Sequence, residues 1–446
     1  MKKYQLKSII VIVSLSIISK AYLYSQVSNN EKVITNEEKF EIISLISDKF
    51  EKIYLYPEVA CKIRDSLNHN FSEGRYSKIN MAGEFAAQIR NDIYSITNDK
   101  HVSVFYSPGF AKEMANSGEN YYTREMINSF QELNFGFKEL KILPGNIGYI
   151  DLRDFFPLKY AGETAVASMN FFSNCNALII DLTKNGGGEE DMVQFLLSYL
   201  IDTGDSLSIF FSTTYSRYKD AYYQSYIFPY VPGRKIYKAP VFILTSRSTF
   251  SAAESFAYKL KTLKRATVIG ENTRGGENPV EILSVNDEYI LYIPAWRLLN
   301  SIGGTTIQWE GVGIKPDIEV ESSEAFTTAY IQALNILIDS SKNDVKNQIY
   351  KWALEGIKLK AKPITCDSRT LLTLVGTYGQ HVISFNNGNL YYQRGDRAKS
   401  RLIPVVEDFF LIEGIDDIRL KFIKEKNKVR ELQVYYEDGQ AFTYVR

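Results

Sequence analysis

Two short apolar runs constrain the fold of this chain more than any other feature. One covers residues 177–182 and the other residues 241–244, and each is followed by a short turn and then by apolar residues at helical spacing. A run of four to eight apolar residues between turn signals is typical of a strand buried on both faces. Strands that alternate with helices predict an α/β layer structure with a parallel sheet.

The patterns of apolar residues and turn signals divide the chain into four segments after an N-terminal leader. Residues 26–110 have apolar side chains at helical spacing and are predicted to form a small helical domain. Residues 111–133 are predicted to be a linker with one helix, and residues 134–360 to be the α/β domain. Residues 361–446 contain short strands and turn signals, so we expect a small all-β domain there.

The first 25 residues have the pattern of a secretory signal peptide. Lys2, Lys3 and Lys7 form a basic start, and residues 8–18 form an apolar core that is short for a membrane span. The pattern predicts export to the periplasm or the extracellular space, with an uncleaved anchor as the alternative. Lys plus Arg and Asp plus Glu balance at 52 each without a basic run, which argues against a nucleic-acid-binding protein.

Cysteine and histidine are scarce. The three cysteines, Cys61, Cys175 and Cys366, are far apart and show no CxxC spacing. For an exported chain of 446 residues this argues against a disulfide-built scaffold and against a cysteine-based zinc site. With only three histidines, a His-rich metal site is not expected either, and we predict no metal or organic cofactor.

Ser251 is a candidate nucleophile because it lies where an apolar strand and short loop turn into a helix. Backbone N–H groups at the start of a helix are unpaired and can bind a developing negative charge. The alternative is a purely structural role, since Ser251 and Glu254 also form an S-x-x-E capping box.

Two further elements point to the same chemistry. The turn Asn185-Gly-Gly-Gly188 permits a close approach of backbone N–H groups to a ligand, although it also suits an ordinary strand-to-helix turn. His101 follows Asp99 at a helix-to-strand junction, and imidazole is the side chain best suited to accept a serine proton near neutral pH. Each element alone is weak evidence.

Several ordered motifs together resemble peptidase family S41, the C-terminal processing peptidases, and in particular the tricorn-core and retinoid-binding-protein-like branch without a PDZ domain. The resemblance extends over about residues 35–320. The motifs are Asn134-Phe-Gly-Phe137, Leu143-Pro-Gly-Asn-Ile-Gly-Tyr-Ile150, Leu178-Ile-Ile-Asp-Leu182, Ser251-Ala-Ala-Glu254, Gly275-Gly276 and Trp309-Glu-Gly-Val-Gly-Ile-Lys-Pro-Asp317.

The resemblance implies a role for each site residue. Ser251 would be the nucleophile, His101 of the D-x-H motif the general base, and Glu310 the acid that orients the imidazole. The lysine that serves as base in the other branch would fall at position 276, which is Gly276. The resemblance also implies a crotonase-like (ClpP/crotonase) α/β core. Its oxyanion hole would use the backbone N–H groups of Gly187 or Gly188 and of Ala252.

The sequence therefore predicts an exported serine endopeptidase that acts on polypeptides through an acyl-enzyme. Two alternatives stay open: an esterase on the same machinery, and a non-catalytic binder of hydrophobic ligands or peptides. The 31 tyrosines and 26 phenylalanines could line an apolar groove in such a binder. The predicted β domain resembles accessory domains of exported bacterial hydrolases, where it would grip substrate or act as a spacer.

Overall fold

The computed structural model describes residues 32–117, 122–204, 209–302, 308–360, 364–406, 408–426 and 428–446. The predicted signal peptide lies outside them. The chain forms two compact units. The first unit lies within Met1–Lys141 and Gly148–Phe326, and the second consists of Ile142–Ile147 and Thr327–Arg446. The four predicted segments stay a prediction. None of the described helices has the length and apolar character to cross a membrane.

Three amphipathic helices begin the first unit: α1 Asn36–Ile53, α2 Pro57–Ser72 and α3 Ala82–Thr97. Helix α1 starts at the capping box that the sequence suggests, in which Thr35 Oγ1 accepts the N–H of Glu38 at 3.2 Å. Helix α3 ends at Asn98, whose left-handed backbone turns the chain toward strand β1, Ser103–Tyr106. Most of residues 36–97 are therefore helical.

A six-stranded sheet provides the framework of the site, in the order β12-β8-β7-β4-β3-β2. Strand β4 pairs with β7, β7 with β8, and β8 with β12, all in parallel, as the apolar runs predict. The bounds are β2 Phe137–Leu143, β3 Ile147–Leu152, β4 Ala177–Asp181, β7 Val241–Thr245, β8 Ala266–Gly270 and β12 Ile318–Glu319.

Helices α6 Leu158–Phe171, α7 Glu190–Leu200 and α8 Ala252–Thr262 bury their apolar faces in one core with this sheet. Strand β4 is almost wholly buried because it is central, which explains its continuous apolar run. Two more helices, α4 Pro108–Ser117 and α5 Arg124–Glu132, lie in and beside the segment predicted as a linker with one helix.

Two three-stranded antiparallel sheets complete the first unit, in the orders β1-β10-β9 and β11-β5-β6. The strands of the second sheet are rich in Tyr, Ser and Thr rather than in alternating aliphatic residues, so the apolar pattern of the sequence does not indicate them. The bounds are β5 Ile209–Ser216, β6 Ala221–Ile227, β9 Val280–Ser284, β10 Tyr289–Pro294 and β11 Trp296–Ser301.

The second unit contains helices followed by an antiparallel sheet. Residues 322–360 are mostly helical and form α9 Ser322–Ser340 and α10 Asp344–Lys360, which are separated by a break at 341–343. A short α11, Ser368–Leu374, precedes eight strands in sequential order. They are β13 Gly376–Tyr378, β14 His381–Asn386, β15 Asn389–Arg394, β16 Ser400–Val406, β17 Phe409–Ile412, β18 Ile415–Glu425, β19 Lys428–Tyr436 and β20 Ala441–Val445.

Candidate active site

Ser251 lies immediately before α8, after the loop that leaves the carboxyl end of β7. Its backbone has φ 55° and ψ −121°, a conformation that a non-glycine residue rarely adopts. Such strained residues persist where the surrounding structure holds them, and they concentrate at functional sites. Ser251 is 6% exposed and lines a cleft, so its hydroxyl group lies at a protected but reachable position.

The glycine turn lies directly against the nucleophile. Gly187 and Gly188 have φ of 114° and 129°, which favour glycine. A Cβ on Gly187 would lie 2.8 Å from Ser251 Cβ and 3.2 Å from the backbone nitrogen of Ala252. Any other residue here would therefore push the turn away from the start of α8.

The three predicted oxyanion donors are not equivalent. The N–H of Gly187 donates to Asn185 Oδ1 at 2.8 Å, so it is already engaged. Among the residues that the structure describes, no protein group accepts the N–H of Gly188 or of Ala252. Of the two glycines, Gly188 is therefore the one whose N–H is free to act together with that of Ala252.

His101 lies beside the strand-to-helix turn that carries Ser251, but it is not joined to the nucleophile. The imidazole is 2% exposed and packs on the ring of Phe250, with 4.5 Å between the ring centroids. Within the described ranges, neither ring nitrogen has a hydrogen-bond partner. Burial, together with the nearby Arg274 guanidinium, lowers the pKa of His101 to about 3, so the imidazole is neutral at physiological pH.

Glu310 is held by only one of its two carboxylate oxygens. Oε2 accepts the N–H of Glu277 at 2.7 Å, the N–H of Asn278 at 3.1 Å and the Asn278 side-chain amide at 3.2 Å. In the described part of the chain, Oε1 is buried and has no partner. One oxygen of Glu310, one oxygen of Asp99 and one ring nitrogen of His101 lie within 4.8 Å of one another. The structure thus brings the predicted base and the predicted acid together.

Asp99 is the member of this group that the sequence analysis left without a role. Its Oδ1 accepts the backbone N–H of His101 at 3.0 Å, and its Oδ2 accepts the hydroxyl group of Tyr54 at 3.3 Å. Burial and the neighbouring Glu310 raise the pKa of Asp99, and burial also raises the pKa of Glu310. The D-x-H spacing was the available signal. These three residues are also the group that could hold a metal ion.

Glu254 makes more hydrogen bonds than its position in the capping box predicts. It is completely buried and accepts four hydrogen bonds: from Thr273 and Gly275 on Oε1, and from Gly276 and Ser251 on Oε2. Burial raises its pKa to about 7, while the four donors act in the opposite direction. Glu254 therefore links the nucleophile's backbone to the loop that packs on His101.

A cleft of about 570 Å³ opens beside Ser251 and Ala252. Its walls are largely aromatic, with Phe211, Tyr222, Tyr226, Phe228 and Trp309 among them. Three carboxyl groups, Glu190, Asp191 and Glu277, also line it. Burial raises the pKa of Asp191 to about 6 and that of Glu277 to about 7. A cleft of this size and character can hold a side chain of a peptide next to the nucleophile.

Comparison with solved structures finds chains of low similarity. A lipoprotein from Streptococcus agalactiae is 17% identical, with 67% of this chain and 96% of that chain covered and a TM-score of 0.46. The photosystem II D1 C-terminal processing protease is 14% identical, with coverage of 65% and 94% and a TM-score of 0.39. The tricorn protease is 12% identical, with coverage of 72% and 37% and a TM-score of 0.42.

Sequence comparison is more informative. The tail-specific protease of Haemophilus influenzae is 30% identical over 115 residues, which are 26% of this chain but only 15% of that protein. The family model of peptidase family S41 matches residues 146–320. Over this segment, which is less than half of the chain, the sequence is similar to peptidase family S41, in agreement with its motifs.

Proposed function

We propose that this protein is an exported serine endopeptidase that hydrolyses polypeptides through an acyl-enzyme. Ser251 is the nucleophile, His101 the general base and Glu310 the acid that orients the imidazole. The backbone N–H groups of Gly188 and Ala252 form the oxyanion hole. The proposal includes the crotonase-like core, the tricorn-core branch of the family and removal of a signal peptide at residues 1–25.

The observation that carries this proposal is the state of Glu310. Three N–H donors hold Oε2, and Oε1 is left unpaired in a buried position near His101. A buried carboxylate oxygen without a partner is unfavourable unless it has a role in another state of the protein. Accepting an N–H from His101 is such a role, because a carboxylate stabilises the imidazolium that forms when serine is deprotonated.

Gly276 gives a second, independent support. It stands where the other branch of the family would have its lysine, and a Cβ at this position would lie 2.6 Å from His101 Cε1. The Phe250 ring lies still closer to that Cβ, so the packed rings of Phe250 and His101 together occupy the space that a side chain at 276 would enter. A lysine at this position does not fit beside the histidine.

The chemical steps follow from this arrangement. One ring nitrogen of His101 takes the proton of Ser251 Oγ while Oγ attacks the peptide carbonyl, and the other donates to Glu310 Oε1. The N–H groups of Gly188 and Ala252 stabilise the negative oxygen of the tetrahedral intermediate. The proton then passes to the leaving amine, and water hydrolyses the ester on Ser251. Within the described residues no hydrogen bond joins His101 to Ser251, so a ring nitrogen must approach Oγ when substrate binds. Catalytic hydrogen bonds often form only in the substrate complex.

The direct test compares Ser251→Ala with Ser248→Ala, a matched variant at an exposed serine of the same loop. Ser251→Ala should lower cleavage of an unstructured fluorogenic peptide by at least ~10³-fold and abolish labelling by a fluorophosphonate. Ser248→Ala should behave like the wild type, and mass spectrometry should locate the label on Ser251. A folded wild-type protein that never labels would favour the non-catalytic binder and refute the proposal.

A further inference from the structure

The cluster of Asp99, His101 and Glu310 has an unusual electrostatic composition. Asp99 is 5% exposed and His101 is 2% exposed, and the two carboxyl groups are near enough for each to affect the other. Among the described residues, no lysine or arginine forms an ion pair with either acid, and the ammonium group of Lys100 donates to the carbonyl of Arg274 instead. Lys100 is near enough to lower the pKa of Glu310 but forms no ion pair with it. Within the described residues, one buried and one half-buried acid therefore share no paired cation, which is unfavourable.

The same cluster also contains atoms that could coordinate a metal ion. In the described ranges, Glu310 Oε1 and both ring nitrogens of His101 are buried and unpaired. Two carboxylates and one imidazole are a ligand set that suits Zn²⁺, which takes three protein ligands and one further ligand in open sites. Tetrahedral coordination at ordinary Zn–N and Zn–O lengths requires ligand atoms about 3.4 Å apart. The three atoms already lie within 4.8 Å of one another, so each pair must approach by at most about 1.4 Å to reach this spacing.

We propose that Asp99, His101 and Glu310 form an inhibitory binding site for Zn²⁺. The ion is a regulator and not a cofactor. When it binds the ring nitrogen that faces Glu310, the neutral imidazole carries its proton on the other nitrogen, which then cannot accept the serine proton. Binding to the cluster follows from its geometry, whereas inhibition rests on the function proposed above. The imidazole ligand selects Zn²⁺ over Mg²⁺ and Ca²⁺, which prefer oxygen ligands only.

The binding test uses the full chain with Ser251→Ala, so that its result does not depend on activity. Calorimetric titration with ZnCl₂ should reveal one site per chain that is lost or weakened at least tenfold by Asp99→Asn and by Glu310→Gln, with MgCl₂ giving no binding. The matched control is the double variant Cys61→Ser/His69→Gln, which removes an exposed thiol and an exposed imidazole from α2 and should leave the affinity unchanged. Circular dichroism verifies that each variant is folded.

Three results would overturn the zinc site: no binding, equal affinity in Asp99→Asn and Glu310→Gln, or loss of binding in the control. The inhibition test measures fluorophosphonate labelling of the wild type. ZnCl₂ should slow labelling at least tenfold and EDTA should restore it, and binding without slower labelling would refute the inhibitory role. A wild type that fails to label even in EDTA would refute the proposed catalytic function, while the titration still decides whether the metal binds.

Discussion

Replacing Glu254 with glutamine tests how the active-site loops are held together. The carboxylate is completely buried and accepts hydrogen bonds from Ser251, Gly275 and Gly276 at 2.7–2.9 Å, and a fourth from Thr273. Glutamine has nearly the same shape, but one of its two terminal atoms is a donor. Glu254→Gln therefore keeps the packing and places an NH₂ group against groups that also donate.

The magnitude follows from the least unfavourable orientation of the new amide. If its oxygen faces Gly276 and Ser251, its NH₂ group faces Thr273, whose hydroxyl oxygen can accept, and Gly275, whose N–H cannot. The variant loses a hydrogen bond to an ionised group, worth about 1.5–3 kcal/mol, and leaves a buried N–H unpaired, which costs about 1–3 kcal/mol. The expected destabilisation of the first unit is roughly 2.5–6 kcal/mol. With about 280 described residues in this unit and an unfolding entropy of about 2.1 cal/mol/K per residue, that lowers the Tm by roughly 4–10 °C.

Differential scanning calorimetry at pH 8 measures the transition, and fluorophosphonate labelling at 20 °C below it measures the nucleophile. We expect a lower Tm and labelling slowed at least tenfold, because the N–H of Ser251 loses its anchor. The control is Glu163→Gln, an exposed glutamate of α6 in the same unit. A Tm for Glu254→Gln within about 1 °C of the wild type would show that the four hydrogen bonds do not hold these loops.

Three further predictions concern packing and charge. Gly276→Ala should abolish labelling and lower stability by about 1–3 kcal/mol because its Cβ would displace His101, whereas Gly162→Ala, with 3.5 Å to the nearest side chain, should add about 0.5–1 kcal/mol. Lys259→Met should cost about 3–5 kcal/mol in denaturant unfolding because it leaves Glu190 without its buried partner, and adding Glu190→Gln should recover at least half. Burial depresses the pKa of His101 to about 3, so the unfolded chain binds more protons than the folded chain between pH 3 and 6.5 and stability must rise with pH there. His101→Gln should remove up to about 5 kcal/mol of that rise in urea titrations, and equal slopes for both proteins would contradict the neutral buried imidazole.

The parallel strands were predictable because burial on both faces leaves a continuous apolar run. Residues 177–182 and 241–244 form adjacent parallel strands, as expected. Strands β5 and β6 were missed because their cross-strand pairs are tyrosines, serines and threonines, such as Tyr215 with Tyr222, for which no aliphatic alternation exists. Tertiary pairing, and not local pattern, makes those segments strands.

The sequence identified Ser251, His101 and Glu310 through motifs, but it could not rank the oxyanion donors. Both positions are glycine, so the sequence gives no reason to prefer the N–H of Gly187 or that of Gly188. Only the fold reveals that Asn185 Oδ1 already accepts the N–H of Gly187. Whether Asn185 or a bound ligand accepts the N–H of Gly187 depends on the geometry of the turn, which the residue types alone do not reveal.

Glu254 shows why a structural explanation of a motif need not compete with a functional one. Read locally, Ser251 and Glu254 are a capping box, and the backbone N–H of Ser251 does donate to the Glu254 carboxylate. The same carboxylate also accepts the N–H groups of Gly275 and Gly276, which are 21 and 22 residues further along the chain. An exposed capping box stabilises a helix by about 1 kcal/mol, whereas the buried carboxylate of Glu254 links Ser251 to the loop beside His101. The motif is thus both cap and part of the active-site framework, and burial, which a single sequence does not reveal for a glutamate, makes the difference.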